Sequence, residues 1–301
     1  MSVIPVDAAT LQQPVKVPSI WKIIWREILN DKLALVSLII FVGLVLAAYI
    51  GAAVLDNDLV VRLNLPLRNA PPGPGLPLGA DHGGRSMVHM LFVASRNTFN
   101  IAFSMTVISL SFGISMGLIS GYFGGHVDNV TMRIVDFFQM VPFLMVVIVL
   151  LVIFPGYNIF HFILIMSAFA WPGPLRLVRT RTLQQGRMDY VSASKTLGTR
   201  NFVIIFREVL PNIISLLVLQ FTLSLAANIG AETGLAFLGF GVPHTSPTLG
   251  RLLSVAGAIP NLENRPWQWL PPALLILLMM LCINFVGQAL NRVADARRRR
   301  V

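Results

Sequence analysis

A single cysteine, Cys282, stands in the 301 residues, so no disulfide can form within the chain and redox compartment stays uninformative. Charge is scarce as well: charged residues make up 12% of the chain, where a soluble domain carries about 25%. Acid is scarcer than base, with 13 Asp and Glu against 23 Lys and Arg. No G-x-x-x-x-G-K-[ST] phosphate loop occurs anywhere, so the chain has no such cradle for ATP. His82, His126, His161 and His244 are scattered, without an i, i+4 pair or a carboxylate companion that would suggest a metal. Ser, His and Asp are all present, but no spacing suggests a nucleophile, and no catalytic constellation is visible. The first apolar run starts near Leu33, too deep and too long for a cleavable secretory signal.

What is abundant is apolar sequence: 55% of residues are hydrophobic, and the mean hydropathy is +0.74. That places the chain among integral membrane proteins. The net charge of +10 does not point to nucleic acid, because the basic residues sit between and beyond the apolar runs. Six spans are read: Leu33–Leu55, Ile101–Phe123, Phe137–Phe154, Ile159–Trp171, Ile213–Leu238 and Leu270–Ala289. At 1.5 Å per residue the first is long enough for the roughly 30 Å of hydrocarbon. The fourth is interrupted by Pro172 and Pro174, which membrane helices tolerate when neighbours satisfy the freed carbonyls.

An even number of spans puts both termini on one side, and Lys and Arg choose the side. The N-terminal lead holds Lys16, Lys22, Arg26 and Lys32. The loop after the fourth span holds Arg176, Arg179, Arg181, Arg187, Lys195, Arg200 and Arg207, and the tail holds Arg292 and Arg297 to Arg300. With Arg133 these outnumber Arg62, Arg68, Arg85, Arg96, Arg251 and Arg265 of the other face, so the termini are expected in the cytoplasm. The expected organisation is a cytoplasmic segment 1–32, a first helix 33–55, an extracytoplasmic loop 56–100, a five-helix core 101–290 with a cytoplasmic loop at 175–212, and a basic tail 291–301.

The long cytoplasmic loop contains "DYVSASKTLGTRNFVIIFREVLPN", from Asp189 to Asn212. Asp189 is placed to cap a helix whose first turn is Tyr190, Val191 and Ser192. Gly198 is placed to end it in a left-handed conformation. A second helix from about Asn201 would present Phe202, Ile205, Phe206 and Val209 on one face, and Pro211 would mark a bend into the fifth span. Periodicity alone leaves two readings open: a docking element, or a connector resting on lipid headgroups.

Four polar groups stand out at or within the spans: Asp136, Asn228, Glu232 and, in the sixth span, Asn284. Asp136 opens the third, at a boundary where Arg133 or water is in reach. Asn228 and Glu232 lie one helical turn apart in the fifth, as candidates for a translocation path or gate, with a structural bond between helices as the competing reading. Gly230, Gly234, Gly239 and Gly241 suggest close packing nearby.

The Asp189–Asn212 segment resembles the EAA loop of ABC importer permeases, most closely that of the C-type permease subunits of dipeptide and oligopeptide importers. Ser192-Ala193-Ser194 stands where Glu-Ala-Ala is usual, and Gly198 and Leu210-Pro211 fall at the family's spacing. "PLGADHGGRSMVHML", "GYFGGHVDNVTMRIVDFFQMVPFLM", "GAETGLAFLGFGVPHTSPTLGRLL" and "NFVGQALNRVADARRR" resemble further family segments, in order, over about Trp21 to Arg298. Departures are Ser192 for Glu, Ser194 for Ala, Ser86 for Asp and Ala80 for Thr; Asp189 and Glu208 are the candidates to replace the missing Glu.

The resemblance implies an all-α membrane protein with the type I importer permease fold in a bacterial cytoplasmic membrane. It implies a homologous second permease, two ATPase subunits carrying the ATP and Mg that this chain has no cofactor site for, and an extracytoplasmic peptide-binding protein. It assigns ATPase coupling to Asp189, Ser192, Ala193, Ser194, Lys195, Gly198, Leu210 and Pro211. The same importer class with nickel, glutathione or oligosaccharide as cargo is an alternative, and a self-sufficient channel or secondary transporter is another.

Overall fold

The computed structural model describes residues 25–26, 28–55, 62–154, 156–243, 246–257 and 263–298. Lys16, Lys22, His244, Arg299 and Arg300, named above, lie outside the described residues. The described residues are helical and contain no β-strand, only two isolated bridges in the segment before the second helix. Four helices are long and apolar enough to cross a membrane, and up to six spans result if each of two bent helix pairs counts as one.

Helix α1 (Lys32–Val54) is apolar on every face, as a helix surrounded by lipid must be. Asp31 caps it, its side chain accepting from the Leu33 and Ala34 amides at 3.0 and 3.2 Å. Its buried side is small: Ala34, Ser37, Ala48 and Ala52. Asp31 also pairs with Arg292 near the end of the last helix, so the start of α1 and the end of that helix lie at the same end of the bundle.

Helix α2 (Met87–Phe123) begins well before the Ile101 read from sequence, so the last part of the 56–100 segment is helical. Hydropathy missed this because His89, Arg96 and Asn97 break the apolar run, while Met87, Met90, Leu91, Val93 and Ala94 on the same stretch are buried. Before α2, the Asp81 carboxylate accepts from the amides of Gly83 and Arg85 at 2.8 Å and from the Arg85 guanidinium, closing a tight turn. Gln268 ties that turn to the last helix by donating to Asn69 and to the Ala80 carbonyl.

The third span is not one helix. α3 (Gly125–Met140) and α4 (Phe143–Ile153) meet at 78°. Pro142 lacks the amide that would continue α3, and the chain turns there. α5 (Ile159–Ala170) and α6 (Pro172–Gln185) meet at 43°, again at a proline. After the short helix α7 (Asp189–Thr196) comes α8 (Asn201–Phe237), a single long helix. The bend expected at Pro211 is absent. A π-helical turn over Ile205–Val209 widens the helix just ahead of the proline, with the Leu210 amide reaching back to the Ile205 carbonyl. That turn relieves the clash and the missing donor that a proline otherwise creates. α9 (Leu249–Ala256) folds back on α8, and α10 (Pro266–Arg298) extends beyond the Leu270–Ala289 span.

The tightest packing is α2 against α6. Gly113, Gly117 and Gly121 recur every fourth residue and form one face of α2. A methyl group on Gly117 would stand 2.8 Å from Val178 Cβ and 2.9 Å from the Leu175 carbonyl. On Gly121 it would stand 2.7 Å from the Arg179 carbonyl and from Thr182 Cβ. Small residues at this spacing let two backbones touch where lipid offers no hydrophobic drive for association. Of the glycines singled out in sequence, Gly230 meets Met280 and Gly241 packs on Ala236, while Gly234 faces open space.

Gly117→Leu is expected to destabilise the fold by about 1–3 kcal/mol through overpacking. The thermal unfolding midpoint in detergent should fall by roughly 2 °C or more; an unchanged midpoint would show that α2 and α6 have room to separate.

Candidate functional site

The α6–α7–α8 corner is built from the buried end of α2. Val191, fully buried, pegs α7 into a cluster formed by Leu118, Val178, Ile204, Ile205, Val209 and Ile213. Polar ties surround the peg. The Ser194 hydroxyl donates to Glu208 Oε1 at 2.6 Å. The Tyr190 hydroxyl donates to Gln185 at 2.7 Å and accepts from Asn212 at 3.3 Å. Burial raises the Tyr190 phenol above its ordinary value, and the Glu208 charge adds to the shift, so the phenol remains a donor. The Lys195 ammonium lies 4.8 Å above the Tyr122 ring, whose hydroxyl donates to Asn201. α7 is thus held by α2, α6 and α8 together.

Its ends differ from expectation at one side and agree at the other. Met188, not Asp189, is the N-cap; Asp189 opens the first turn, where its charge suits the helix dipole without a capping bond. Gly198 has φ +77, and the Gly198 and Thr199 amides bond the Lys195 and Ser194 carbonyls at 3.0 Å. This paired closure satisfies carbonyls that would otherwise face nothing.

What remains outward is Asp189, Ser192, Ala193, Lys195, Thr196 and Leu197, the last 84% exposed. Ser194 does not share that face, being turned inward to Glu208. Of the two candidates for the absent Glu, the structure brings Glu208 to the motif and leaves Asp189 at the surface. Leu210 and Pro211 are half-buried, and Leu210 packs against the cluster that holds Val191. The expected single face of Phe202, Ile205, Phe206 and Val209 is split: Ile205 and Val209 are buried, while Phe202 and Phe206 are exposed. Leu197 was not singled out from the sequence; its signal was an apolar residue directly before a helix-ending glycine.

Asn228 and Glu232 are enclosed within this chain and do not stand on an open face. Asn228 donates to Thr106 on α2 at 2.9 Å, and Thr98 on α2 donates to Glu232 at 3.4 Å. Asp136, half-exposed at the surface, pairs with Arg176, and Asp128 forms a two-pronged pair with Arg179. These pairs tie α3 to α6, and their acids share the i, i+8 spacing of one helix face.

The family described as "Binding-protein-dependent transport system inner membrane component" matches residues 113–300, and the "N-terminal TM domain of oligopeptide transport permease C" matches residues 19–72. The chain is 44% identical over 273 residues to the oligopeptide transport system permease protein OppC of Lactococcus lactis subsp. cremoris (strain SK11), covering 90% of this chain and 93% of that protein. It is 33% identical over 276 residues to the dipeptide transport system permease protein DppC of Bacillus subtilis (strain 168), covering 92% and 85%. It is 33% identical over 282 residues to OppC of the same Bacillus strain, covering 94% and 91%.

Gly198→Val places a β-branched residue in a left-handed conformation, which costs roughly 1–2 kcal/mol. Amide hydrogen exchange at Gly198 and Thr199 should accelerate by about tenfold while the long helices keep their protection. Unchanged exchange at those two amides would show that the closure of α7 does not depend on glycine.

Proposed function

Because the chain belongs to the family of binding-protein-dependent transport system inner membrane components, we propose that it is one of two permease subunits of an ATP-driven importer for di- or oligopeptides. It lies in a bacterial cytoplasmic membrane with six spans, the two bent helix pairs each counting as one. The basic-residue asymmetry supports cytoplasmic termini and a cytoplasmic α7. A homologous permease supplies the other half of the path, two ATPase subunits bind below, and an extracytoplasmic binding protein delivers the cargo.

The observation that carries the reading is the build of α7. A helix held from three sides by Val191, Ser194 and Tyr190 presents Ser192, Ala193, Thr196 and Leu197 outward. A connector has no need of such bracing, and neither does a self-sufficient channel. A rigid helix transmits motion when it is gripped on both sides, and the small outward residues admit a close-fitting partner. ATP and Mg are held by the partner ATPases, and closure of that pair shifts α7 and rocks the two permeases between inward and outward openings. This chain carries out no covalent step. Peptide cargo is supported by the names of the relatives, whereas nickel, glutathione and oligosaccharide have no observation in their favour here.

The test is uptake in proteoliposomes holding the complex that co-purifies with this chain. Labelled di- and oligopeptides should accumulate with ATP hydrolysis, and unlabelled peptide should compete where nickel and glutathione do not. In a Gly198→Val, Ala193→Asp double variant, uptake should fall at least about tenfold, the effect expected from a charge buried unpaired in an interface. Normal uptake in that variant would return α7 to a connector role.

A further inference from the structure

At the end of the bundle opposite α7, the chain leaves α8, turns, and runs back as α9. Backbone contact makes this hairpin tight: a methyl group on Gly250 would stand 2.7 Å from Thr233 Cα and 2.9 Å from Ala236 Cβ. Side chains from α9 itself and from elsewhere in the chain grip the turn. Tyr157 donates to the Gly241 carbonyl at 2.5 Å, Arg251 to the Val242 carbonyl at 3.3 Å, and Asn97 of α2 to the Pro247 carbonyl at 2.9 Å.

The first free amide of α9 belongs to Leu249, and it donates to the hydroxyl of Thr98 on α2 at 3.0 Å. A hydroxyl that accepts through its oxygen has one proton left to place. Thr98 places it on Glu232 Oε2 at 3.4 Å. Thr98, Glu232 and the N-cap Thr248 are all fully buried. Without the carboxyl, the Thr98 hydroxyl loses the acceptor that holds it toward α9, and a buried hydroxyl left unpaired turns to another, such as a carbonyl of its own helix. Glu232 therefore orients Thr98, and Thr98 anchors the start of α9. The carboxyl also bonds the side chain of Thr248, the N-cap of α9, which sets it at the end of the helix dipole that favours an acid. Enclosed as it is, Glu232 touches no cargo in this conformation.

We propose that Glu232 is a positioning residue for transport: acting through Thr98, it latches the α8–α9 hairpin to α2, so that this mouth of the subunit moves with α2 as one body. The proposal deepens the importer reading and rests on it for the word transport. The latch itself is read without cargo.

The test uses the assembled complex in lipid nanodiscs, with Glu232→Leu, Glu232→Gln and Thr98→Val. Hydrogen exchange over residues 246–257 should accelerate by about tenfold in Glu232→Leu and in the isosteric Thr98→Val, the scale of one lost buried hydrogen bond. Glu232→Gln should keep wild-type exchange, because its amide oxygen accepts the same proton. Exchange in α7 should stay unchanged in all three. In proteoliposomes, cargo taken up per ATP hydrolysed should fall severalfold in the Leu and Val variants and recover in the Gln variant. Should Glu232→Leu not assemble, Thr98→Val gives the reading. Wild-type exchange in both latch-breaking variants overturns the proposal, as does a Gln variant as damaged as Leu. Lost uptake with unchanged exchange, or accelerated exchange with normal uptake per ATP, overturns it too. A complex that carries something other than peptide leaves the exchange result standing, so failure of the cargo reading and failure of the latch are separate outcomes.

Discussion

The close approach of α2 to α6 sets the position of everything at the α7 end of the molecule. Gly113, Gly117 and Gly121 allow α6 to lie against α2 backbone to backbone. α6 leads directly into α7, and the buried end of α2 supplies Leu118 and Tyr122, which receive Val191 and Lys195. The outward face of α7 thus inherits its place from a glycine face inside the membrane. Displacing α6 by the width of one methyl group would carry α7 with it. Because a packed interface of this kind does not deform gradually, motion applied at α7 passes to α2 as a unit.

Several polar groups in the spans follow the same rule and join helices. Thr106 and Thr98 on α2 meet Asn228 and Glu232 on α8, and Asp128 and Asp136 on α3 meet Arg179 and Arg176 on α6. In hydrocarbon a lone polar group is expensive, so its partner is close and specific. α2 is the common member: it touches α6 through glycines, α8 through threonines, the turn into α9 through Asn97, and α9 through Thr98. One long helix consequently joins the α7 end of the subunit to its opposite mouth.

Much of this is legible in the residues, and the failures have physical reasons. Gly198 reads correctly because a glycine between a polar helix and a new apolar run needs a positive φ, whatever surrounds it. α1 reads correctly because an uncharged run of its length has one stable form in lipid. Asp189 misleads because capping preference is weak, and the peg at Val191 sets where α7 starts. Pro211 misleads because a π turn absorbs it, a device set by packing and not by composition. Phe202 and Phe206 sort away from Ile205 and Val209 because only one side of α8 meets neighbours, and spacing does not say which. Glu232 stands out in sequence as an acid within a span, but its partner Thr98 lies far away along the chain. The sequence points to close packing at Gly230, Gly234, Gly239 and Gly241, whereas the tightest approach is at Gly113, Gly117 and Gly121, whose four-residue spacing puts them on one face of α2.

The central claim is that the outward face of α7 carries the ATP-driven motion into the bundle. Its most direct measurement is photocrosslinking in intact cells, with a photoreactive amino acid replacing Leu197 and the same residue at Pro74 as the control at the opposite end. The account predicts a covalent adduct between position 197 and an ATP-hydrolysing subunit, identified by mass spectrometry, and none from position 74. An adduct from position 197 with lipid alone, or with an extracytoplasmic protein, would contradict it.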